Sequence, residues 1–397
     1  NLGHWKFTNI TSTAFAGSDR LFTLDATGTV LADLNGDGAL DLLVNSVGQG
    51  TRCWRNDGTG KFREVTEESG LGGRSGGSSL ALADTDGDGD LDLYVVNYRT
   101  STIRDEFQQR FEIKVVKGRP TLVSVNGRAT TEPDLVGRFS VDENGRITEH
   151  GEADTLFLND GKGRFTAVSF TDGSFRDEAG EPLTTPPYDW GLAAQFRDLN
   201  GDRAPDLYVC NDLGSPDRIW LNDGKGGFQA IPRTAIRKTS WFSMGVDFGD
   251  LNRDGYDDFL VTDMLSQDPV QRQVDAAVRV AEAEDFMGSE RRPQCARNTL
   301  FAGRGDGTFA EVAWAAGLAA SDWSWSPVFL DVDLDGWEDV LISTGFERNV
   351  QDVDVAEEIE AVRQREKLSD AASLQLRRRF PSFAQPNVAF RNRGNLT

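Results

Sequence analysis

Residues 84–92 read DTDGDGDLD and run directly into LYVVN at 93–97. Five acidic residues stand in nine positions. A solvated acidic tail would not be flanked by SLALA at 79–83 and LYVV at 93–96, both of which read as buried strands. The stretch also recurs, as DLNGDGALD at 33, DLNGDRAPD at 198, DLNRDGYDD at 250 and DVDLDGWED at 331. The shared pattern is D-x-[DN]-x-D-G-x-x-D, with Arg203 in place of the glycine once. Three apolar residues follow every copy: LLV, LYV, LYV, FLV and VLI.

A second motif alternates with the first: WRNDGTGKF at 54, FLNDGKGRF at 157, WLNDGKGGF at 220, FAGRGDGTF at 301 and a fifth beginning at Phe390. Phe62 to Asp84, Phe228 to Asp250 and Phe309 to Asp331 are each 22 residues apart, a constancy that defines a true repeat. Asn-Asp-Gly between apolar runs signals a hairpin, and the Asp loop joins two further strands. Each unit of about 50 residues therefore holds four short strands, as a propeller blade does. The expected fold is all-β, a β-propeller of four-stranded antiparallel blades in one domain over 1–397, with a solenoid as runner-up. NLGHWKF at 1–7 aligns with the middle of the second motif, so the termini could pair to close five blades. A longer, seven-bladed parent is the alternative. Without an initiating Met, the chain is expected to be a processed protein or an excised piece.

The chemistry of the Asp loop follows from its spacing. Oxygens at positions 1, 3 and 5 of a tight loop converge on one point, glycine at 6 permits the turn, the carbonyl at 7 can join, and Asp at 9 closes the shell. Such an all-oxygen donor set selects calcium over zinc or copper. The candidate ligands of the first loop are Asp33, Asn35, Asp37, the Ala39 carbonyl and Asp41; those of the second are Asp84, Asp86, Asp88, the Asp90 carbonyl and Asp92. The third offers Asp198, Asn200, Asp202, the Ala204 carbonyl and Asp206. The fourth offers Asp250, Asn252, Asp254, the Tyr256 carbonyl and Asp258, and the fifth Asp331, Asp333, Asp335, the Trp337 carbonyl and Asp339. Up to five calcium ions are expected, with 198–206 weakest because Arg203 lacks glycine's freedom and brings positive charge. A metal-free Asp-rich turn is the bland alternative. Against it, five copies with one ligand spacing pack carboxylates that would otherwise repel. A catalytic carboxylate dyad has no need of five copies.

DLNGDGALD with LFLNDGKGRF resembles FG-GAP/VCBS repeats, found in integrin α-subunit propellers and in secreted bacterial proteins. SWFSMGVDFGDLNRDGYDDFLVTDMLS at 240–266 and DWSWSPVFLDVDLDGWEDVLISTG at 322–345 resemble the cartilage-acidic-protein-like family, often paired with an ASPIC/UnbV domain, which is not visible in this chain. The resemblance implies calcium binding, a propeller and an extracellular, cell-surface or periplasmic location. It implies no defined activity.

Composition narrows the partners. The net charge of −22 repels nucleic acid and anionic membrane. No run of 18 apolar residues is present to span a bilayer, and no signal peptide is visible. Cys53, Cys210 and Cys295 are too few for a disulfide framework, though one pair could form.

Three insertions, about 98–153, 265–297 and 346–386, leave the strands at the end opposite the Asp loops. The first alternates like strands, and could be a degenerate blade; QRQVDAAVRVAEAEDFM in the second and VAEEIEAVRQREKLSDAASLQLRRRF in the third read as helical. The same end collects DWGLAA, SWFSMG and DWSWSP, placing Asp189, Trp190, Trp241, Asp322, Trp323 and Trp325 near the expected axis, with Asn97, Tyr98, Arg99, Asn211, Asp212 and Asp263 at nearby strand ends. Indole faces beside carboxylates suit sugar binding, so Asp189, Trp190, Asp212, Trp241, Asp263, Asp322, Trp323 and Trp325 are candidate ligand contacts. The favoured plain reading is that the tryptophans fill blade interfaces. Two functions compete. One is a calcium-stabilised binding or adhesion module for a glycan or extracellular protein. The other is a lyase or glycosidase using Asp189, Asp212, Asp263 and Asp322. His4 and His150 are the only histidines, and no hydrolase, metalloprotease or phosphate-loop motif is present, which favours the binder.

Overall fold

A computed structural model describes residues 6–15, 23–103, 105, 109–275, 292–366 and 368–394. The chain divides into two compact units, Asn1–Phe196 with Asn222–Gln229, and Arg197–Leu221 with Ala230–Thr397.

In the first unit Ala26–Ala32, Asp41–Ser46, Arg52–Asn56 and Phe62–Glu64 form a four-stranded antiparallel sheet in chain order. Gly77–Ala83, Asp92–Asn97, Thr155–Asn159 and Phe165–Val168 form a second. In the second unit Gly245–Gly249, Asp258–Thr262, Thr299–Gly303 and Phe309–Glu311 form another, and Ser324–Leu330, Asp339–Thr344 and Val388–Phe390 a three-stranded one. Gly191–Arg197, Asp206–Asn211, Arg218–Asn222 and Phe228–Ala230 repeat the same element order. The all-β class and the four-stranded antiparallel blades of a β-propeller are thus present, and every Asp loop joins the first two strands of its repeat.

The second strand of each repeat carries an apolar run between a polar residue at each end, and in the best-enclosed copies it is covered on both faces. All six residues of Asp92–Asn97 and of Asp206–Asn211 are buried. Three of the first strands carry an irregularity near their start, between Ala26 and Gly28, Gly77 and Ser79, and Ser324 and Pro327, while Gly245–Gly249 pairs without one. Gly77 is required there: a Cβ would stand 2.2 Å from the Asn45 side chain of the neighbouring sheet. Between the first two sheets lie Leu34, Leu43, Cys53, Val65, Leu93, Val95 and Phe165. Leu251, Leu260, Leu300, Leu318, Val340 and Ile342 fill the equivalent layer in the second unit. Leu34 and Leu251 are position 2 of their Asp loops, so that residue anchors its loop in the core.

The insertions leave their sheets from the strand ends remote from the Asp loops, after Asn97, Thr262 and Thr344. The first holds a three-stranded sheet, Phe111–Val116, Arg119–Val125 and Arg128–Ala129, and a hairpin, Phe139–Val141 with Ile147–Glu149. These share a small core of Leu122, Val125 and Leu135 with Phe111, Phe139 and Val141. The insertion is strand-rich as expected, but its strands form two small sheets and no four-stranded blade. The third insertion is helical, Val353–Arg365 and Asp370–Leu376. Asp352 caps the longer helix by accepting from the Asp354 and Val355 N–H groups, and Arg363 and Arg365 oppose its dipole in the last turn. In the second, Gln271–Val274 is helical, and the rest of the helix expected there, 276–287, lies outside the described residues. All three cysteines are free, so the disulfide considered from the sequence is not formed. Burial pushes the Cys53 and Cys295 thiols up to about 12.

Candidate metal loops and the opposite strand ends

Each Asp loop is built by one ladder of backbone donors. The position 1 carboxylate accepts the N–H of residue 6: Gly38 to Asp33 at 2.8 Å, Gly89 to Asp84 at 3.0 Å, Arg203 to Asp198 at 2.8 Å, Gly255 to Asp250 and Gly336 to Asp331 at 2.9 Å. Position 3 accepts the N–H of position 5, and position 5 that of position 7, in all five copies. These bonds turn the side-chain oxygens inward. In loops 84–92 and 331–339 one oxygen from each of positions 1, 3 and 5 falls within 4.8 Å of the other two. In the other three loops position 3 is Asn35, Asn200 or Asn252, whose amide oxygen takes the same N–H. Arg203 keeps the loop geometry by adopting φ of 74°, where the other copies use glycine. Position 4 is left-handed as well, and there Arg253 and Leu334 do so without glycine.

The donor set fits a hard divalent cation. It is all oxygen and repeated, and in loop 84–92 it gathers carboxylates of like charge. Burial, then the charges of Asp92 and Asp88, push the Asp86 carboxyl above its ordinary value. Loop 331–339 differs. Arg391 brings its guanidinium to 2.5 Å from Asp333 and 3.2 Å from Asp335. Asp335 is held low by the Trp337 N–H and then by Arg391. Arg253 lies over the Trp337 ring at 4.6 Å.

The position 9 aspartates have a second role that the ligand pattern does not disclose. Asp41, Asp92, Asp206, Asp258 and Asp339 are all buried. Asp92 accepts from the Thr85 N–H and hydroxyl with one oxygen and from the Asn159 N–H with the other. Asp258 joins Leu251 to Gly303 in the same way, and Asp339 joins Val332 to Asn392. Each clamps its own loop to the hairpin that follows. The hairpin Asn of the second motif extends the clamp. Asn159 donates to Leu91 O and to Leu34 O, the latter in the preceding sheet's loop. Asn222 donates to Thr85 O, and Asn392 to Glu338 O and Leu251 O. The two motifs therefore lie at one end of the sheets, as expected.

A further set of residues went unread in the sequence. Three positions before four of the five hairpin aromatics stands Asp154, Asp217, Asn298 or Asn387; the first repeat has Thr51 there. Each accepts the N–H at the end of the neighbouring strand, from Asn97, Asn211, Asp263 and Thr344 respectively, at 2.7–3.0 Å. Tyr94 and Tyr208 donate their hydroxyls to Asp154 and Asp217. The signal was present, since [DN]-x-x-[FW] precedes four of the hairpins. Burial raises Asp217 to about 7 and Asp263 to about 6. Both folded values exceed the ordinary one, so the native state binds more protons than the unfolded chain between pH ~4 and ~7. The stability these groups contribute is complete below pH ~4 and is lost as pH rises through ~6–7. Wild type is expected to lose stability relative to Asp217→Asn as pH rises from 4 to 8. Urea unfolding of both proteins at several pH values checks this, and a pH-independent difference would contradict it.

At the opposite strand ends the candidate contacts separate into structural and accessible groups. Trp190 is buried against Tyr98 at 4.8 Å, beside half-buried Asp189. Trp241 is buried, and Asp263, fully buried, accepts from the Ser240 hydroxyl and from the Trp241 and Phe242 N–H groups. Asp322 accepts from Ser266 and the Gln267 N–H. Asp212 accepts the Leu213 N–H. Trp323 is buried, stacked on Phe346 at 4.6 Å and 4°. Three of the four tryptophans are therefore packing residues. Trp325 is the exception: it is 38% exposed, and its indole N–H is fixed on Gly345 O at 2.8 Å. Asp263 is too deeply enclosed to touch a polymer, which removes one carboxylate from the hydrolase reading. His150 lies 2.7 Å from the Ser140 hydroxyl, while His4 is outside the described residues.

The FG-GAP-like repeat matches this chain over residues 33–95, 198–261 and 285–342, segments that contain all five Asp loops. The chain thus carries FG-GAP-like repeats. No curated protein matches it. Solved structures that align with it include a lectin from Agrocybe aegerita described for specific recognition of non-reducing terminal N-acetylglucosamine, at 16% identity over 94% of this chain and 82% of that one, TM-score 0.32. The Dos1 propeller aligns at 8% identity over 81% and 66%, TM-score 0.31. A protein of unknown function from Dyadobacter fermentans aligns at 10% identity over 82% and 76%, TM-score 0.34. Among the described residues no helix is long and apolar enough to cross a membrane.

Proposed function

We propose that this chain is a calcium-stabilised binding module of the cell exterior, in which the Asp loops hold structural calcium and the insertion-bearing strand ends receive a glycan or protein. The observation that supports the calcium reading is the loop ladder, one hydrogen-bond pattern in five places, together with the carboxylate oxygens of loops 84–92 and 331–339 that lie within 4.8 Å of one another. Asp33, Asn35 and Asp37 and their counterparts would hold the ion together with the position 7 carbonyl, and Asp41 and its counterparts would close the shell from beneath. Calcium would supply positive charge to carboxylates that otherwise repel and would tie each hairpin shut. Sites without a bidentate Glu suit millimolar calcium, the concentration outside cells.

Trp325 supports placing the ligand at the opposite strand ends. It is half-exposed, held by its indole N–H, and flanked by Phe346 at 6.1 Å. Rigid aromatic faces of this kind bind at low entropic cost. The test is calorimetric titration of chelator-stripped protein with calcium. Up to five ions are expected, with 198–206 and 331–339 weakest because of Arg203 and Arg391. Asp88→Ala should abolish one site, while Trp323→Ala should leave the count unchanged. No heat of binding in wild type would sink the calcium reading.

A further inference from the structure

The three-stranded sheet of the first insertion has Phe111–Val116 at its edge, bonded on one side to Arg119–Val125. Among the described residues no hydrogen bond is formed from its other backbone edge. Ile113 is 39%, Val115 74% and Val116 45% exposed. Natural edge strands are kept from pairing by shortness, proline, bulges, or charges, Lys above all. This strand has six residues, no proline, three exposed β-branched side chains and two exposed charges of opposite sign, Glu112 and Lys114; the register irregularity between Glu112 and Ile113 lies in its pairing with Arg119–Val125. It is also held rigidly: Phe111 packs edge-on against Phe139 at 5.1 Å over the small core of Leu122, Val125 and Leu135.

The strand is self-complementary in one register. Two copies pairing antiparallel through the same edge are related by a two-fold axis normal to the sheet, so each residue meets one on its own face. Centring the axis on Glu112 sets Glu against Glu, and centring it on Lys114 sets Lys against Lys. Centring it on Val115 leaves Lys114 against Val116. Centring it on Ile113 sets Glu112 of each copy against Lys114 of the other, Ile113 against Ile113, and Phe111 against Val115. Cross-strand pairs of opposite charge and of apolar residues are the favourable ones. In the single chain Glu112 has only its own Lys114, at 3.1 Å, and the Ser124 hydroxyl, both side chains of the ion pair being more than half exposed.

We propose that Phe111–Val116 is a homodimerisation edge, joining two copies of this chain into a continuous six-stranded sheet through antiparallel pairing about Ile113. The proposal does not depend on the calcium reading. Sedimentation of the full chain in calcium is expected to show a single-chain mass when dilute, rising towards twice that value over about 10–100 μM, as for small interfaces. Val115→Lys, at a side chain that makes no core contact in the monomer, should hold the protein at single-chain mass. Glu112→Lys should weaken association at least about tenfold by setting Lys against Lys. Glu112→Lys with Lys114→Glu should restore it to within about twofold, because the pair is rebuilt in reverse. A single-chain mass throughout, as expected if the edge serves a different polypeptide, overturns the proposal. So does a dimer indifferent to Val115→Lys, or one that the charge reversal fails to restore.

Discussion

Chelating divalent cations is expected to lower the melting temperature of the unit holding loops 33–41 and 84–92 by roughly 6–12 °C. An ion present at ten times its dissociation constant stabilises the state that binds it by about 1.4 kcal/mol, and two such loops give about 3 kcal/mol. For a unit of about 200 residues each kcal/mol moves the melting temperature by about 2–4 °C. The physical origin is repulsion that burial sharpens. Asp86 stands half-buried beside Asp88 and Asp92, and burial together with their charges raises its carboxyl above the ordinary value. Magnesium should restore little, because it demands octahedral geometry and keeps its water. Differential scanning calorimetry with and without chelator measures the effect. Superimposable melts would mean that the backbone ladder alone holds these loops.

Replacing Asp92 by alanine should cost about 3–4 kcal/mol, because buried donors left without an acceptor cost about 1–3 kcal/mol each. The Thr85 N–H, the Thr85 hydroxyl and the Asn159 N–H all lose their acceptor, at a buried position. Relief of the buried charge offsets part of this, since burial holds the Asp92 carboxyl above its ordinary value. Asp92→Asn should cost less, as one oxygen remains. The lesion should reach the neighbouring sheet, since Asn159 also carries the bond to Leu34 O. Asp88→Ala, removing an exposed side chain of the same loop, should leave chelator-treated stability almost unchanged. Urea unfolding in chelator separates the two. Equal costs for Asp88→Ala and Asp92→Ala would refute the clamp role of Asp92.

The strand content and the loops were legible because each is written in contiguous residues. Nine positions carry a complete set of donors, and the apolar triplet after each loop announces a strand covered on both faces. Trp190, Trp241 and Trp323 illustrate the limit. A tryptophan beside a carboxylate reads equally as packing or as a sugar platform, and only the neighbours Tyr98, Phe242 and Phe346 decide for packing. Arg391 illustrates it again. Sequence drew attention to Arg203 because it interrupts a loop. The guanidinium that meets loop carboxylates comes from 56 residues beyond Asp335.

By itself the sequence determined an all-β repeat chain with five acidic hairpin loops and three insertions, since hydrogen-bond ladders within a loop and alternation along a strand depend on near neighbours. Tertiary structure alone decided that the position 9 carboxylates also clamp each loop to the next hairpin, and that Asn159 reaches a carbonyl 125 residues away. It alone left Trp325 open to solvent where its sequence companions are enclosed, and gave Phe111–Val116 one hydrogen-bonded edge and, among the described residues, one bare one. Those outcomes depend on which surfaces the packed sheets bring together and which they leave in water, and no local pattern specifies that.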